Sequence, residues 1–428
     1  MTRYLLGSTA LLSAVIFNVY ANAAETKPTP TMAVPQLKIS GQTSFNSLFF
    51  RNKKIFKNDP QLQDVDIDAA VCGREKFGRG QLFTVDNSKL KFNVDGKTDP
   101  GMEYGLVFVI DGNVDAGKSL KENYIYFGGM WGKILAGDTY GVEHTMGFGG
   151  FTEWGGTGFL DGGVLDRVVN FTTGTLHSVD LEGDTSRDTK LTYFTPRWKG
   201  LQLGVSYTPR TEHRGQQIIE SRRSVVTPKK PWDSDSIASG INFIHKFTSG
   251  FEVGLSATSV FGKAHSEFSG SLLRKNTASY AFGGTMSYKG VGFGAEFGNN
   301  NRSHSFKEGG HKSNAGRFLD FGLSYKWCPS LKLSAGLYYA WRRALAGGFE
   351  RPLFMRKAKT KGITAAIDKK LAPGLGLYAE YAYLQMRNPA AIAEQTRINK
   401  NLAPCKQKNG AVTNNHANVF ILGTRLVF

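Results

Sequence analysis

The chain ends in the sequence NVFILGTRLVF, residues 418–428, and this stretch does most to decide the fold. Phe420, Leu422, Leu426 and Phe428 share one parity, so they lie on one face of an extended strand. The last strand of any β protein could carry such an alternation, but a strand that finishes on a terminal aromatic residue is much rarer there. The sequence therefore favours the closing strand of a β-barrel that spans a membrane.

The same period-two alternation recurs along the rest of the chain. Leu90, Phe92 and Val94, for example, alternate with Lys89 and Lys91. About sixteen segments of this kind occur between residues 37 and 428. An even number of strands is what a bacterial barrel needs to bring both chain ends to one side.

The connections between these segments alternate between short and long. Short turns such as Gly128-Gly129, Ser249-Gly250 and Lys289-Gly290 separate long connections at residues 52–80, 139–186, 210–236, 263–275, 300–314, 343–358 and 387–416. A soluble sandwich has no reason to alternate in this way, whereas membrane barrels have short periplasmic turns and long outer loops. The sequence therefore predicts an all-β fold, a transmembrane antiparallel β-barrel of about 16 strands.

Composition agrees with this fold class but does not decide it. The 428 residues are 40% hydrophobic, with 51 glycines, 12% aromatic residues and a net charge of +18. A mean hydropathy of −0.28 excludes a helical membrane protein, and the aromatic content argues against a disordered chain. A barrel with a wet lumen and an apolar exterior fits these values.

The N-terminus has the features of a secretory signal peptide. Arg3 supplies a positive start, residues 5–20 are apolar, and Ala21-Asn22-Ala23 is a small-residue cleavage site. We therefore expect a signal peptide at residues 1–23, a short segment at 24–36, and the barrel at 37–428.

Several patches resemble the general trimeric porins of Gram-negative bacteria. The similar stretches are KLTYFTP at 190–196, GLQLGVSY at 200–207, ENYIY at 122–126, LKISGQ at 37–42 and the terminal Phe428. The resemblance implies a sixteen-stranded barrel, a homotrimer in the outer membrane, and a third long loop folded into the pore. It also implies that the barrel-assembly machinery reads Phe428.

The third long loop, residues 139–186, combines many glycines with Phe148, Phe151, Trp154 and Phe159. Glycine allows tight backbone paths against a wall, and the aromatic side chains could anchor the loop inside the barrel. The loop also carries four acids, Glu143, Glu153, Asp161 and Asp166. Two interpretations are open: a mobile surface loop with solvated acids, or an inward-folded constriction lined by them.

An acidic loop in the lumen would face a basic wall. By strand parity, the inward-pointing cations are Lys38, Lys91, Lys190, Arg342 and Arg425. Opposed charges of this kind would create a transverse field and set ion preference. For each cation taken alone, a solvated wall charge is the competing interpretation, and Lys38 and Arg425 lie near the periplasmic strand ends.

Two long loops are strongly basic. One carries Arg210, Arg214, Arg222, Arg223, Lys229 and Lys230, and the other carries Arg343, Arg351, Arg356, Lys357 and Lys359. These charges are either simply solvated or in contact with phosphates of outer-membrane lipopolysaccharide. Nucleic acid is not expected as a partner, because the chain is exported.

Three cysteines allow one disulfide hypothesis. Cys72 lies in the first long loop and Cys405 in the last, and these loops rise side by side in a closed barrel. Cys328 lies in a short turn on the opposite side of the membrane. The exported compartment is oxidising, so a Cys72–Cys405 bridge is the disulfide that we hypothesise.

Catalytic and metal-binding motifs are missing from the sequence. It contains no G-x-S-x-G, H-E-x-x-H or phosphate-loop pattern, and its 8 histidines show no metal spacing. We therefore expect no enzyme activity, cofactor or metal. The sequence predicts a porin for passive diffusion of ions and small hydrophilic solutes. The alternatives are a substrate-selective channel for phosphate or a sugar, and an adhesin or receptor that acts through its long loops.

Overall fold

The computed structural model describes residues 33–52, 80–99, 101–112, 120–169, 171–172, 174–211, 214–215, 232–265, 274–305, 314–346, 354–389 and 414–428. The signal peptide expected at residues 1–23, the cysteines Cys72 and Cys405, and much of both basic loops lie outside these residues. The cleavage site and the disulfide therefore stay predictions. No helix within the described ranges has the length and apolar character needed to cross a membrane.

The described residues form sixteen β-strands. Their bounds are β1 Ala33–Asn52, β2 Gln81–Lys97, β3 Glu103–Asp111, β4 Leu120–Gly129, β5 Gly132–Asp138, β6 Thr189–Phe194, β7 Leu201–Arg210, β8 Trp232–Lys246, β9 Glu252–His265, β10 Thr277–Tyr288, β11 Val291–Asn299, β12 Arg317–Cys328, β13 Leu331–Ala346, β14 Phe354–Ala372, β15 Leu375–Arg387 and β16 Asn414–Val427. A short helix α1, Val142–Thr145, and 3-10 turns at Gly150–Thr152, Phe159–Asp161 and Leu165–Arg167 follow β5.

Each strand pairs antiparallel with its neighbours in the chain, and β1 also pairs with β16, which closes the barrel. The closing register runs from Gln42 opposite Val427 to Asn52 opposite Ala417. Closure leaves no sheet edge with unpaired backbone groups, as a membrane requires. The predicted fold class and strand number are confirmed.

Side chains alternate between the lipid-facing exterior and the lumen. On β9 and β10, Leu255 and Phe282 are exposed on the outside, whereas Ala281 and Val260 are buried inside. Paired residues share a face, so the ladder carries this assignment around the whole wall. The buried apolar cluster lies on the inner side, where wall residues such as Ile421 meet Phe159 of the connection after β5.

The strands differ in length around the barrel, and two of them are longer than the sequence predicted. β13 extends to Ala346 and β14 begins at Phe354, so the loop expected at residues 343–358 is shorter, and its basic residues Arg343, Arg356 and Lys357 belong to strands. β5 and β6 have only 7 and 6 residues, whereas β13 and β14 have 16 and 19. The barrel wall is therefore much lower on one side.

Phe428 lies at the seam of the barrel. Its backbone N–H donates to the carbonyl of Gly41 at 3.0 Å and its carbonyl accepts from the Gly41 N–H at 2.9 Å. The ring covers Gly41 so closely that a Cβ there would lie 2.5 Å from the Cζ atom of Phe428. The terminal residue therefore extends the β1–β16 ladder by one more pair.

Deleting Phe428 should lower the yield of folded barrel. The deletion removes two backbone hydrogen bonds, which together contribute about 2 kcal/mol, and the ring contact with Gly41. Heat-modifiable migration of outer-membrane fractions on gels measures the folded fraction. Phe428→Tyr, which keeps the ring and the backbone, is the control and should fold normally. Normal accumulation of the truncated chain would contradict the role of this pair.

Candidate functional site

The connection between β5 and β6, residues 139–188, folds into the barrel, and we call it the inner loop. Its outgoing arm, residues 141–161, crosses the inner face of the wall from β7 to β15. Its returning arm, residues 174–187, comes back past β13 and β10. The two arms together lie against more than half of the strands.

The outgoing arm is held through its backbone N–H groups. Each of these donates to a hydroxyl or carboxylate on the inner face of a different strand. The pairs are Val142 to Ser206 at 3.0 Å, Phe148 to Ser256 at 2.8 Å, Phe151 to Asp320 at 3.1 Å, Gly155 to Ser334 at 2.9 Å, Gly156 to Asp368 at 2.9 Å and Thr157 to Glu380 at 2.7 Å. Side chains of the wall thus take the place of water for an irregular backbone.

Glu380 on β15 is one of the most deeply buried of these acceptors, with 1% of its surface exposed. One carboxylate oxygen accepts from the backbone N–H of Thr157 at 2.7 Å and from its hydroxyl at 2.6 Å. The other oxygen accepts from the Thr364 hydroxyl at 3.2 Å. Burial of a carboxyl group is costly unless it is hydrogen-bonded, so this site fixes the position of Thr157 tightly.

Glycines on the inner face let the arm pack directly on the wall. We call them the glycine track: Gly283, Gly294, Gly322, Gly336 and Gly362, one on each strand from β10 to β14. A Cβ at Gly283 would lie 1.7 Å from the carbonyl oxygen of Phe148, and one at Gly322 would lie 2.1 Å from that of Gly150. Any larger residue in the track would therefore displace the arm.

Aromatic side chains fill the space between the arm and the wall. Trp154 and Phe159 pack edge to face with ring centroids 5.2 Å apart, and Trp154 donates to the carbonyl of Phe321 at 2.9 Å. Phe159 is completely buried, in the apolar cluster that also contains Leu384 and Ile421. The inner loop therefore has an apolar core of its own inside the barrel.

The returning arm is fixed near the outer end of the strands. His304, in the connection after β11, lies between Glu182 of the arm at 3.0 Å and Asp233 of β8 at 2.9 Å. Burial alone would lower the pKa of His304, but hydrogen bonds to the two carboxylates raise the pKa to about 9. The imidazolium is therefore charged at neutral pH and donates to both.

The base of the inner loop is closed by Glu143 and Lys190. Glu143 accepts from the backbone N–H and the hydroxyl of Thr185, at 3.0 and 2.5 Å. The Lys190 ammonium donates to the carbonyls of Thr139 at 2.5 Å, Ser186 at 2.7 Å and Thr185 at 3.2 Å. Because these contacts join both ends of the loop, the two residues act as a clasp.

The sequence predicted that all four loop acids line a constriction, but the structure places them in different surroundings. Glu143 is only 3% exposed and Asp161 is also buried. Glu153 contacts the Ser324 hydroxyl and lies 3.8 Å from the Lys332 ammonium. Asp166 alone among these four acids is exposed. Glu143 accepts hydrogen bonds from the loop itself and so holds the loop in place. The alternation of residues in the sequence cannot predict this contact.

The five expected wall cations all lie on the inner face, but they serve different contacts. Lys190 belongs to the clasp, and Arg425 donates to the carbonyl of Gly156 at the far end of the outgoing arm. Arg342 interacts electrostatically with Glu182 of the returning arm. Lys38 pairs with Asp95 at 3.4 Å near the periplasmic end, and Lys91 is half-buried on β2.

A second set of charges lines the inner face of β2–β4, opposite the outgoing arm. We call this set the charged face: Asp86, Lys89, Lys91, Asp111, Lys121 and Glu122. Asp111 and Lys121 form an ion pair of 2.8 Å. Two loop cations lie close enough to feel this face: Arg167 is attracted to Asp86, whereas Arg187 and Lys89 repel each other. Sequence reasoning found only Lys91 here, although the same parity rule applies to Lys89.

One group of possible metal ligands occurs among the described residues. His144, Asp180 and Asp184 bring three ligand atoms within 4.8 Å of one another. The His144 Nδ1 and Asp184 Oδ2 atoms are 4.0 Å apart. The two halves of the group are about 36 residues apart in sequence, so no local spacing could indicate it.

The chain is similar to known proteins in its sequence family and in its fold. A family model described as Gram-negative porin matches residues 11–389. An uncharacterized protein of Rickettsia conorii is 22% identical over 478 residues, covering 98% of this chain and 99% of that protein. A Rickettsia typhi protein, also uncharacterized, is 22% identical with the same coverage.

Solved structures share the fold at low sequence identity. OmpT of Vibrio cholerae in its trimer form has a TM-score of 0.54 at 10% identity, covering 92% of this chain and 100% of that one. An anion-selective porin from Comamonas acidovorans has a TM-score of 0.53 at 12% identity with the same coverage. The outer membrane channel DcaP of Acinetobacter baumannii has a TM-score of 0.51 at 10% identity, covering 92% of this chain and 98% of that one.

Gly283→Ala should reduce the single-channel conductance in planar bilayers. The new methyl group cannot fit beside the Phe148 carbonyl, so the outgoing arm must move off the wall into the lumen. The neighbouring Gly284→Ala is the matched control, because Gly284 faces outward and its nearest contact is the mobile end of Leu255 at 3.1 Å. Equal conductance of the two variants would show that the arm does not narrow the lumen.

Proposed function

Because the chain belongs to the Gram-negative porin family and is therefore an outer-membrane channel for small solutes, we propose that it works by passive diffusion. Ions and small hydrophilic solutes would pass between the inner loop and the charged face of β2–β4. The observation that carries this proposal is the attachment of the outgoing arm to one continuous arc of the wall, by hydrogen bonds from β7 to β16, with the charged face of β2–β4 outside that arc.

Charges on the two sides of the proposed passage are close to balanced. On the charged face and the part of the inner loop beside it, the cations are Lys89, Lys91, Lys121, Arg167 and Arg187, and the anions are Asp86, Asp111, Glu122 and Asp166. Five positive and four negative charges leave little local preference for one sign. Fixed charges of both signs favour polar solutes over apolar ones, because water between them is oriented by the field.

A homotrimer is the second part of the proposal, and the short strands support it. A transmembrane strand needs about 9–11 residues at a tilt of about 45°. β5 and β6, with 7 and 6 residues, are too short for this, so their outer surface is better suited to a neighbouring protein than to lipid. Leu191 on β6 is nevertheless apolar and 53% exposed in the single chain.

A cysteine at Leu191 should be protected in the assembled protein. In a background with the native cysteines replaced by serine, a lipid-soluble maleimide should label Leu191→Cys slowly before dissociation and rapidly afterwards. Leu337→Cys on the long strand β13, with Leu337 similarly exposed at 51%, should react rapidly in both states. Rapid labelling at both positions in the intact assembly would contradict an interface at β5 and β6.

We also propose that the assembly machinery reads Phe428 at the seam. The residue is 68% exposed although its backbone is paired with Gly41. An exposed terminal ring beside a completed ladder is accessible to a binding partner from the periplasmic side.

Ion preference should come mainly from the mouth of the channel. The chain has a net charge of +18, and the proposed passage accounts for little of it. A positive field concentrates anions at the mouth, and salt screens it over a Debye length of about 10 Å at 0.1 M. We therefore propose a weak anion preference at low ionic strength.

Reversal potentials across a potassium chloride gradient test this proposal. The unmodified channel should prefer chloride at about 0.01 M salt and lose the preference as salt rises. Asp166→Asn should deepen the anion preference at every salt concentration, because Asp166 is exposed to the lumen. Glu143→Gln, buried in the clasp, should have a smaller effect. Cation preference in the unmodified channel, or equal effects of the two variants, would contradict the assignment.

A further inference from the structure

Exposed cations cluster on the outward face of the barrel at the outer ends of β12–β15. We call this cluster the basic edge: Arg317, Arg343, Lys357, Lys359, Lys361 and Arg387. Their parity matches that of Leu337 and Ile363, which face lipid. These cations are therefore outside the pore.

The strand register arranges these residues in rows. Arg317, Trp341, Lys359 and Arg387 are direct cross-strand partners on four successive strands. In the next row toward the outer rim, Arg343 is opposite Lys357. In the next row toward the middle of the membrane, Lys361 lies between Tyr339 and Gln385. The next row is apolar, with Phe321, Leu337 and Ile363. The basic edge therefore lies directly above the apolar band, at the level of lipid headgroups.

The described part of the barrel provides no counter-charge for these rows. Among the described residues, the outward positions at this end of β12–β16 carry no acid. Lys359 is directly opposite Arg387, and Arg343 is directly opposite Lys357, and like charges in such pairs repel. At another part of the rim the outward Lys263 is paired with Asp235 at 3.0 Å. Within the described ranges, the basic edge thus has no ion pair of the kind that Lys263 forms.

We propose that the basic edge binds a phosphorylated glycolipid of the outer leaflet. Its phosphates would lie between Lys359, Arg387 and Arg317, and its acyl chains would cover the apolar row below. Arginine and lysine donate strong charge-assisted hydrogen bonds to phosphate. Trp341, which lies under the Lys357 ammonium at 5.4 Å, offers an amphipathic ring at the headgroup level.

Strand length also supports lipid on this side. β12–β15 have 12, 16, 19 and 13 residues, enough to cross the apolar layer, whereas the short strands β5 and β6 lie elsewhere in the barrel order. The proposal rests on the outer-membrane placement of the channel. It adds to transport a defined binding site on the lipid-facing surface.

Binding of fluorescent diphosphorylated lipid A to the purified full-length protein in detergent tests the site. The double variant Lys359→Gln/Arg387→Gln should bind at least about tenfold more weakly than the unmodified protein, the loss expected for one charge-assisted hydrogen bond. Lys359→Arg/Arg387→Lys should retain binding. The affinity of the unmodified protein should also fall as salt is raised.

The matched control is Lys369→Gln, because Lys369 is exposed on the same face of β14 but near the periplasmic turn. Its binding should equal that of the unmodified protein, and lipid A freed of both phosphates should bind weakly to every variant. Equal affinity of the double variant, equal loss in Lys369→Gln, or equal binding of dephosphorylated lipid A would overturn the proposal.

Two further measurements keep the result unambiguous. Heat-modifiable migration shows that each variant is folded, and the single variants Lys359→Gln and Arg387→Gln carry the test if the double variant does not fold. Conductance of the same preparations in phosphatidylcholine bilayers should be present in all variants. If the unmodified protein shows no conductance, that result contradicts the proposed channel and leaves the glycolipid site to the binding measurement.

Discussion

Closure of the backbone hydrogen-bond ladder is the constraint on which the rest of this structure depends. Inside a bilayer each unpaired N–H or C=O group costs several kcal/mol, so a sheet must have no edge. The β1–β16 pairing, extended by Phe428 opposite Gly41, removes the last edge. Once the wall is closed, alternate side chains must face an enclosed space, and that space receives the inner loop.

The inner face of the wall behaves as a binding surface for a segment of its own chain. Loops usually lie on the protein surface because water satisfies their backbone groups. Here Ser256, Asp320 and Glu380 accept those backbone donors, and the glycine track admits the chain at van der Waals distance. Carboxylates used in this way are not available to permeating ions. The wall under the loop is therefore structural, and the passage that we propose lies on the opposite side.

Periodicity predicted the fold well because pairing and pleat are local properties of a strand. The strand count, the closing aromatic residue and the inward parity of all five wall cations follow from residues two apart. The roles of charges did not follow. Glu143 and Asp166 look alike in sequence, yet one is buried in the clasp and the other is exposed. That difference depends on Thr185 and Lys190, which only the folded loop brings to Glu143.

The sequence KAKTKG, residues 357–362, shows how one stretch can serve both sides of the wall. In sequence Lys357 and Lys359 were assigned to a basic loop, but the stretch is a strand whose three lysines all point outward. Thr360 and Gly362 point inward, and Gly362 belongs to the glycine track under Phe159. Because adjacent residues of a strand face opposite surroundings, the cation excess on the outside does not change the charge of the lumen. Alternation therefore lets a strongly basic chain keep nearly balanced charges along the proposed passage, while cations without a counter-charge among the described residues collect on the outward face of the barrel.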